Sequence, residues 1–533
     1  MSKDTLSPRA GRHTPPVWHF RRSWPGLLAL IAGALLPLSL APYSFWISAC
    51  IAPAILAWLL RRSSNMRSVF GYSFAFGLGL FAFGSSWVYV SIHDFGATGV
   101  PLALVMTALF VSFLAAVFTL PFCLFYKALR APILAYAFIF PALWVCGEWS
   151  RSWLLTGFPW LYVGYAHLDT VLAGWAPLAG VFSVSFASVL SGTAVLAFIA
   201  AGAHAKGKAV NFQTWLRCAL LVFTVACVWV FPYSLKNTQW TTARDGAQSV
   251  ALLQPNIELY RKWNPIYFSE IFSVLYTLSS QHWDKDIQIW PEAAIPSLLN
   301  NVRSFTDDID EKAENTQTHI FSGVLYDNED PYEVYNSIVG LGLAEGTYFK
   351  QKLVPFGEYV PFEDQLRGLI QFFDLPNSVI RRGPFRKDAL SAKTRQGYDY
   401  IVAPFICYEV VYPDFVAKNS RDASLLLTIS NDAWFGDSIG PLQHFEMVRM
   451  RALENQKYML RATNTGVSGI INEEGQVLAV SEQFIETTLS GFVELREGVT
   501  PYAKTGSTPL LALCFLIIGV FYLRERLSQP VQG

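Results

Sequence analysis

Before residue 235 the chain is crowded with apolar runs, at about 24–41, 43–60, 69–91, 99–125, 131–147, 171–201 and 217–234, and an eighth lies at about 509–523. These runs constrain the fold more than any motif does. A bilayer core takes about 20 mostly apolar residues per helix, and only a helix or a closed barrel satisfies its own backbone there. Gly and Pro recur inside several runs, as membrane helices tolerate. Of the 533 residues 52% are hydrophobic and 15% charged, against roughly 25% charged in soluble domains, so about eight spans are expected. Positive and negative residues balance at 40 each, which leaves no electrostatic footprint for a nucleic-acid partner.

Basic residues orient the spans, because short cytoplasmic loops carry the excess of Lys and Arg. Arg21 and Arg22 precede the first run; Arg61, Arg62 and Arg67 follow the second, Lys127 and Arg130 the fourth, Lys206 and Lys208 the sixth, and Arg524 and Arg526 the eighth. Every even-numbered crossing thus ends on one side. Both termini are expected in the cytoplasm and the long segment between the seventh and eighth runs on the outer face. Ser39-Leu40-Ala41 would pass as a signal-peptide cleavage site, but Pro42 directly after it and the further spans argue against cleavage. The expected organisation is a membrane domain over 1–235, an extramembrane domain over 240–500, and a last helix with its tail over 505–533.

From Val250 the pattern changes to short β-rich runs alternating with helical ones. Strands are expected at 249–253, 287–290, 319–324, 335–339, 400–403 and 425–429, a helix at 443–456, and a hairpin over 469–477 turning at Glu474-Gly475. About 250 residues of this kind suit one α/β domain of layered sheets and helices.

Cys407 is the one cysteine of that domain; Cys50, Cys123, Cys146, Cys218, Cys227 and Cys514 lie in or beside apolar runs. No disulfide framework or metal-ligand spacing is present, and a lone thiol on an oxidising face is either inert core or a nucleophile. Upstream stand Glu292, after a strand and Pro291, and Lys350 and Lys352, which share a face if extended. Taken singly, Glu292 reads as a loop carboxylate, and the lysines as edge-strand charges. Together the three types divide the work of acyl transfer: a carboxylate takes the thiol proton, the thiolate attacks a carbonyl, and an ammonium holds the oxyanion. Histidine is less well supported as the base. His13, His19 and His204 fall in cytoplasmic segments, and His282, His319 and His444 have no evident acid partner, which leaves His93 and His167 in outer loops.

Trp290-Pro291-Glu292, Lys350 to Glu358 and Ile406-Cys407-Tyr408-Glu409 resemble the three motifs of the nitrilase superfamily. The order of membrane segments, domain and final helix, with Glu148-Trp149, Thr156 to Trp160, Leu353 to Pro361, Thr428 to Gly436, Gly440-Pro441 and Thr500 to Ala503, resembles more closely the bacterial apolipoprotein N-acyltransferases. This resemblance implies an αββα sandwich on the periplasmic side of the inner membrane, a Glu292–Lys350–Cys407 triad, and no cofactor or metal. It selects Lys350 over Lys352, which departs from the histidine common in the superfamily. It further implies that Glu358 supports the lysine, that Tyr408 and Glu409 shape the pocket, and that Trp263 lies near the acyl-chain entrance; a half-buried aromatic is the alternative for Trp263. Trp263 and Trp434 are expected to roof the site against water. Trp149, Trp153, Phe158 and Trp160 form either an interfacial aromatic belt or a substrate portal.

The implied reaction moves an acyl chain from a phospholipid, phosphatidylethanolamine in the first instance, through a Cys407 thioester to the amine of a diacylated apolipoprotein, in a monomer. Two rivals are a membrane-tethered amide or nitrile hydrolase of the same superfamily and a transporter or scaffold without catalysis. Eight spans exceed what a tether needs, and the scarcity of charge inside them speaks against an ion pathway.

Overall fold

The computed structural model describes residues 24–528 apart from 97, 205–211, 236–237, 245, 329–332, 356, 360–379 and 385–389. Arg21, Arg22, Lys206, Lys208, Phe356, Val360 and Pro361 lie outside the described residues. Seven long helices precede the sheets: α1 (Trp24–Leu35), α2 (Ile47–Arg62), α3 (Met66–Gly84), α4 (Val100–Leu124), α5 (Ile133–Ser150), α6 (Val181–His204) and α7 (Phe212–Ser234). Among the described residues, five stretches are long and apolar enough to cross a membrane: Met66–Gly84, Val100–Leu124, Ile133–Ser150, Val181–Ala201 and Trp215–Ser234. The apolar helices Trp24–Ser39 and Thr508–Phe521 are shorter.

Small residues let these helices approach closely, the usual packing device where lipid offers no hydrophobic drive. A Cβ on Gly33 would lie 1.9 Å from Phe76 O and one on Gly79 2.0 Å from Leu30 O, so α1 and α3 are in backbone contact. The run expected at 171–201 becomes a helix only from Val181. Before it, Gly180 turns at φ +74, where a side chain would strike the Tyr502 ring, and Ala176–Ala179 forms a separate short helix. The run at 69–91 similarly ends its helix at Gly84 and continues as short turns through Trp87 to Phe95.

The extramembrane part is a sandwich of two sheets. Its strands are β1 (Gln248–Gln254), β2 (Ile287–Ile289), β3 (His319–Asp327), β4 (Val334–Gly342), β5 (Ala344–Glu345), β6 (Thr347–Phe349), β7 (Leu390–Lys393), β8 (Asp399–Ile406), β9 (Leu425–Ser430), β10 (Met459–Thr463), β11 (Gly469–Ile471), β12 (Val477–Val480) and β13 (Thr487–Val493). One sheet runs β13-β1-β2-β3-β4-β6, with Ile295–Leu298 beside β3, and the other β12-β11-β10-β9-β8-β7-β5. The central pairs β1–β2, β2–β3, β8–β9 and β9–β10 are parallel, and the flanks antiparallel.

Period-two burial builds the layers. Val250, Leu252, Ile287 and Ile289 of one sheet meet Val402, Ile406, Leu427 and Ile429 of the other. The outer face of the first sheet, through Leu253 and Ile320, packs on α8 (Phe268–Ser280) and α9 (Arg303–Thr316). Ala403, Phe405 and Leu426 face α10 (Pro413–Asn419) and α11 (Gly440–Asn455) within one apolar core that continues into the membrane helices. The layer order is αββα, as expected.

Helix α11 is the joint between the two parts. Gln443 Nε2 donates to Gly84 O at 3.1 Å, while Gln443 Oε1 accepts from Trp160 Nε1 at 2.7 Å and Trp87 Nε1 at 3.3 Å. Glu446 accepts from Ala41 N at 3.0 Å, and Glu454 from Val181 N at 2.7 Å. The chain then returns through α12 (Thr508–Ser528).

Candidate active site

The C-terminal ends of the central parallel strands point the same way, the usual place for ligand-binding loops in such sheets. Cys407 opens a tight turn, Cys407–Val411, directly after β8 and adopts φ +52. A non-glycine residue in the left-handed region persists where its surroundings over-determine it. The buried Glu409 carboxylate does so here. Its Oε2 accepts from Ile406 N at 2.8 Å, and its Oε1 from Gln351 N at 2.6 Å and Lys352 N at 3.0 Å; Tyr348 OH donates to both oxygens at 2.9 Å. Glu409 therefore ties the cysteine turn to the segment that carries Lys350. It lies under the pocket wall rather than on it, which refines the expectation that it shapes the pocket.

Glu292 follows β2 on a loop that can press against β3 because residue 323 is glycine; a Cβ there would lie 2.3 Å from Pro291 O. Its Oε1 accepts from Asn336 Nδ2 at 2.8 Å and Lys350 Nζ at 3.3 Å, and its Oε2 from Asn431 N at 2.8 Å. Lys350 Nζ also donates to Glu358 Oε1 at 2.8 Å, and Glu358 Oε2 accepts from Val354 N at 2.8 Å. Two carboxylates thus share one ammonium that is 1% exposed. Burial pulls the Lys350 ammonium toward neutrality, but Glu292 and Glu358 outweigh it and hold the lysine above its ordinary range. Lys352 instead sets its Nζ 5.1 Å from the Tyr412 ring centroid, away from the cluster.

Two further groups, Asn336 and Lys262, carry no sequence signal for the site, and His444 bonds differently from its sequence reading. Asn336 reads only as part of a strand, yet a polar residue inside a buried run is a signal that it has partners. Lys262 Nζ donates to Glu292 O at 2.8 Å, and burial pulls this lysine down to about 8. His444 does have an acid partner, contrary to expectation: Nδ1 lies 3.2 Å from Asp432 Oδ1, and Nε2 lies 3.3 Å from Cys407 O. Arg461 completes the set at 2.5 Å from Asp432 Oδ2. Asp432 and His444 stand 12 residues apart across a loop and a helix start, so their spacing carried no signal. His93 stacks on Tyr89, and His167 bonds Ser188; neither lines the site.

A cavity of about 1010 Å³ collects the expected residues. Glu292, Lys350, Glu358, Cys407, Tyr408, Trp263 and Trp434 line it, together with Asn431 and His444. Its other wall is membrane helix: Leu109, Phe110, Phe113, Leu114 and Val117 of α4. Phe158 and Trp160 belong to this wall, with Trp160 stacked on Tyr408 at 6.4 Å, whereas Trp153 is half exposed beside Trp149. The aromatic cluster is therefore divided between the cavity wall and the periphery.

Burial, followed by the charge on Glu292, pushes the Cys407 thiol above its ordinary range, and Lys350 opposes this only in part. The resting site is a neutral thiol beside an ammonium–carboxylate pair. Such a set has the groups to take up a thiol proton and to face an oxyanion with a fixed positive charge.

Residues 32–194 match the family model described as the apolipoprotein N-acyltransferase N-terminal domain, and residues 249–499 the carbon-nitrogen hydrolase model. The apolipoprotein N-acyltransferase of Pseudomonas syringae pv. tomato is 41% identical over 96% of this chain and 100% of its own length. That of Azotobacter vinelandii is 42% identical over 97% and 98%. Among solved structures, a mutant amidase from Nesterenkonia sp. AN1 overlaps 51% of this chain and 98% of its own at 17% identity and a TM-score of 0.35.

Proposed function

The chain belongs to the apolipoprotein N-acyltransferase family, and from that premise we propose that it moves an acyl chain from a membrane phospholipid, through a Cys407 thioester, to the N-terminal amine of a diacylglyceryl-cysteine lipoprotein. One observation carries this reading. The cavity that holds Glu292, Lys350 and Cys407 is walled on its other side by apolar residues of α4, a lining suited to the acyl chain of a substrate drawn from the bilayer.

In the first half-reaction the Cys407 proton passes to Glu292 as Sγ attacks the ester carbonyl carbon. The tetrahedral oxyanion forms against Lys350 Nζ. Collapse breaks the C–O bond, and the departing lysophospholipid oxygen takes its proton from Glu292. In the second, the lipoprotein ammonium gives a proton to Glu292, and the free amine attacks the thioester carbon. The same lysine holds the oxyanion until the C–S bond breaks; sulfur takes its proton from Glu292, and the nitrogen sheds its second proton to solvent as the amide forms. Glu358 and Asn336 keep Lys350 and Glu292 in register through both steps. Trp263 and Trp434, at the cavity wall, exclude water from the thioester.

The same reading has eight helices crossing the bacterial inner membrane, both termini in the cytoplasm, the sandwich on the periplasmic side, phosphatidylethanolamine as donor, and a monomer as the working unit. The basic loops support this orientation. Arg61 Nη1 donates to Ala131 O at 2.6 Å and Tyr126 OH to Ser64 O at 3.3 Å, so residues 61–67 and 126–131 meet at one end, while Gly84, Trp87 and Trp160 meet α11. The test is purified protein given phospholipid and a diacylated lipopeptide. N-acyl lipopeptide with little free fatty acid is expected; fatty acid released at one rate with and without lipopeptide would make water the acceptor and the protein a hydrolase.

A further inference from the structure

Arg151 follows the last turn of α5, is 2% exposed, and lines the cavity. Its Nη1 donates to Trp160 O at 2.7 Å, and its guanidinium carbon stands 5.2 Å from the ring centroids of both Phe81 and Tyr162. Nε has no hydrogen-bond partner. Glu148, one turn earlier, is the nearby carboxylate, but it directs its Oε1 to Trp144 Nε1 at 3.0 Å and Val163 N at 2.8 Å, and its Oε2 has no hydrogen-bond partner, so its charge acts on Arg151 without a hydrogen bond. A guanidinium carries five N–H donors in a planar fork that matches phosphate. Buried charges are ordinarily paired, and a buried guanidinium at the end of a span that lines a cavity with a donor still unused marks a ligand site. Ring faces attract the cation but supply no anion.

We propose that Arg151 is the anchor for the phosphodiester of the donor glycerophospholipid. The proposal rests on the phospholipid-donor reading above. Its position fits. Trp160, whose carbonyl Arg151 holds, stacks on Tyr408, and Tyr408 OH donates to Gly157 O at 3.1 Å, so the anchor and the residue after Cys407 are braced by the same loop. In a glycerophospholipid the phosphate and the acyl esters sit on one glycerol. Fixing the phosphate therefore places an ester carbonyl rather than mid-chain methylenes at the thiol. The lipoprotein acceptor has no phosphate, so Arg151 acts in the first half-reaction only.

The test compares two acyl donors on the full-length protein, phosphatidylethanolamine and the neutral ester p-nitrophenyl palmitate, each read as the rate of Cys407 acylation. Arg151→Gln is expected to slow acylation by the phospholipid by about tenfold or more, the scale of a lost charge-assisted hydrogen bond, with p-nitrophenyl palmitate little affected. Discharge of preformed acyl-enzyme to lipopeptide should be unchanged, and Arg151→Lys should recover part of the loss. Equal loss with both donors would make Arg151 a brace for the Trp160 loop and overturn the proposal, as would full activity with phospholipid. Inorganic phosphate that slows the wild type but not Arg151→Gln would assign the fork to free phosphate and overturn the lipid reading. If the wild type is acylated by neither donor, the functional premise itself fails.

Discussion

Cys407 is flanked by two buried charged clusters, and they differ in where their bonding capacity points. Glu292, Lys350 and Glu358 put two carboxylates around one ammonium, and all three line the cavity. In the other cluster Asp432, His444 and Arg461 are 2%, 1% and 0% exposed, and Arg461 also donates to Val467 O and Ser430 Oγ. Only His444 of that set reaches the cavity. Both clusters are largely removed from water, the first a little less so, with the Glu292 and Glu358 side chains 10% and 13% exposed. The first has a carboxylate in excess over its cation, which a proton or a substrate can engage. The second is closed on itself and holds the Cys407 carbonyl from below. Burial and charge alone do not separate chemistry from support; the direction of the spare lone pairs does.

The largest effect that would break this comparison lies at Glu292. Glu292→Gln keeps the shape and its place beside Lys350 but removes the proton acceptor, so transfer should fall by about 100-fold to 10,000-fold, the range of general acid–base catalysis, with an unchanged melting temperature. Near-normal turnover would move the base elsewhere, His444 being the first candidate.

Next is Lys350→Ala, expected to lose on the order of 100-fold or more, as an oxyanion donor does; Lys352→Ala should keep most activity. Equal losses at the two positions would contradict the geometry. Asp432→Asn sharpens the contrast from the other side. It leaves Arg461 and His444 without their carboxylate, so the expected result is a clear fall in melting temperature, by about 1–3 kcal/mol of stability, with a smaller loss of rate than at Glu292. A reversed order, with full stability and a larger loss of rate than at Glu292, would make that cluster catalytic.

The smallest effect concerns the joint. Burial pushes Glu446 up to about 8. Its folded pKa therefore lies above the unfolded value of about 4.3, so it favours the folded state at low pH and loses that contribution as pH rises toward and through about 8. Glu446→Gln, which still accepts from Ala41 N, should flatten the fall in melting temperature between pH 6 and 8.5. A wild-type profile already flat there would refute the assignment.

Glu292, Lys350 and Cys407 were legible as a candidate set because each follows a strand in a short motif, and the strands themselves carry period-two or fully buried runs such as Leu425 to Ile429. The sandwich order followed from the resemblance. Helix ends were less legible in the membrane part: hydropathy does not register the Gly180 turn or the break after Gly84, since both lie in continuous apolar sequence. Asn336, Asp432 and His444 escaped because their partners are set by tertiary approach of distant segments. Arg151 passes in sequence for a charge at the end of a span; only its burial against Phe81 and Tyr162 distinguishes it.

The central claim is that Cys407 carries the acyl group at the meeting of cavity and membrane wall. Its most direct test is the intact mass of the purified protein after incubation with phosphatidylethanolamine alone, followed by peptide mapping. The account predicts one added acyl mass, on the peptide containing Cys407, labile to hydroxylamine and missing from Cys407→Ser. A wild-type protein that turns over lipopeptide with no adduct, or an adduct that persists in Cys407→Ser, would contradict it.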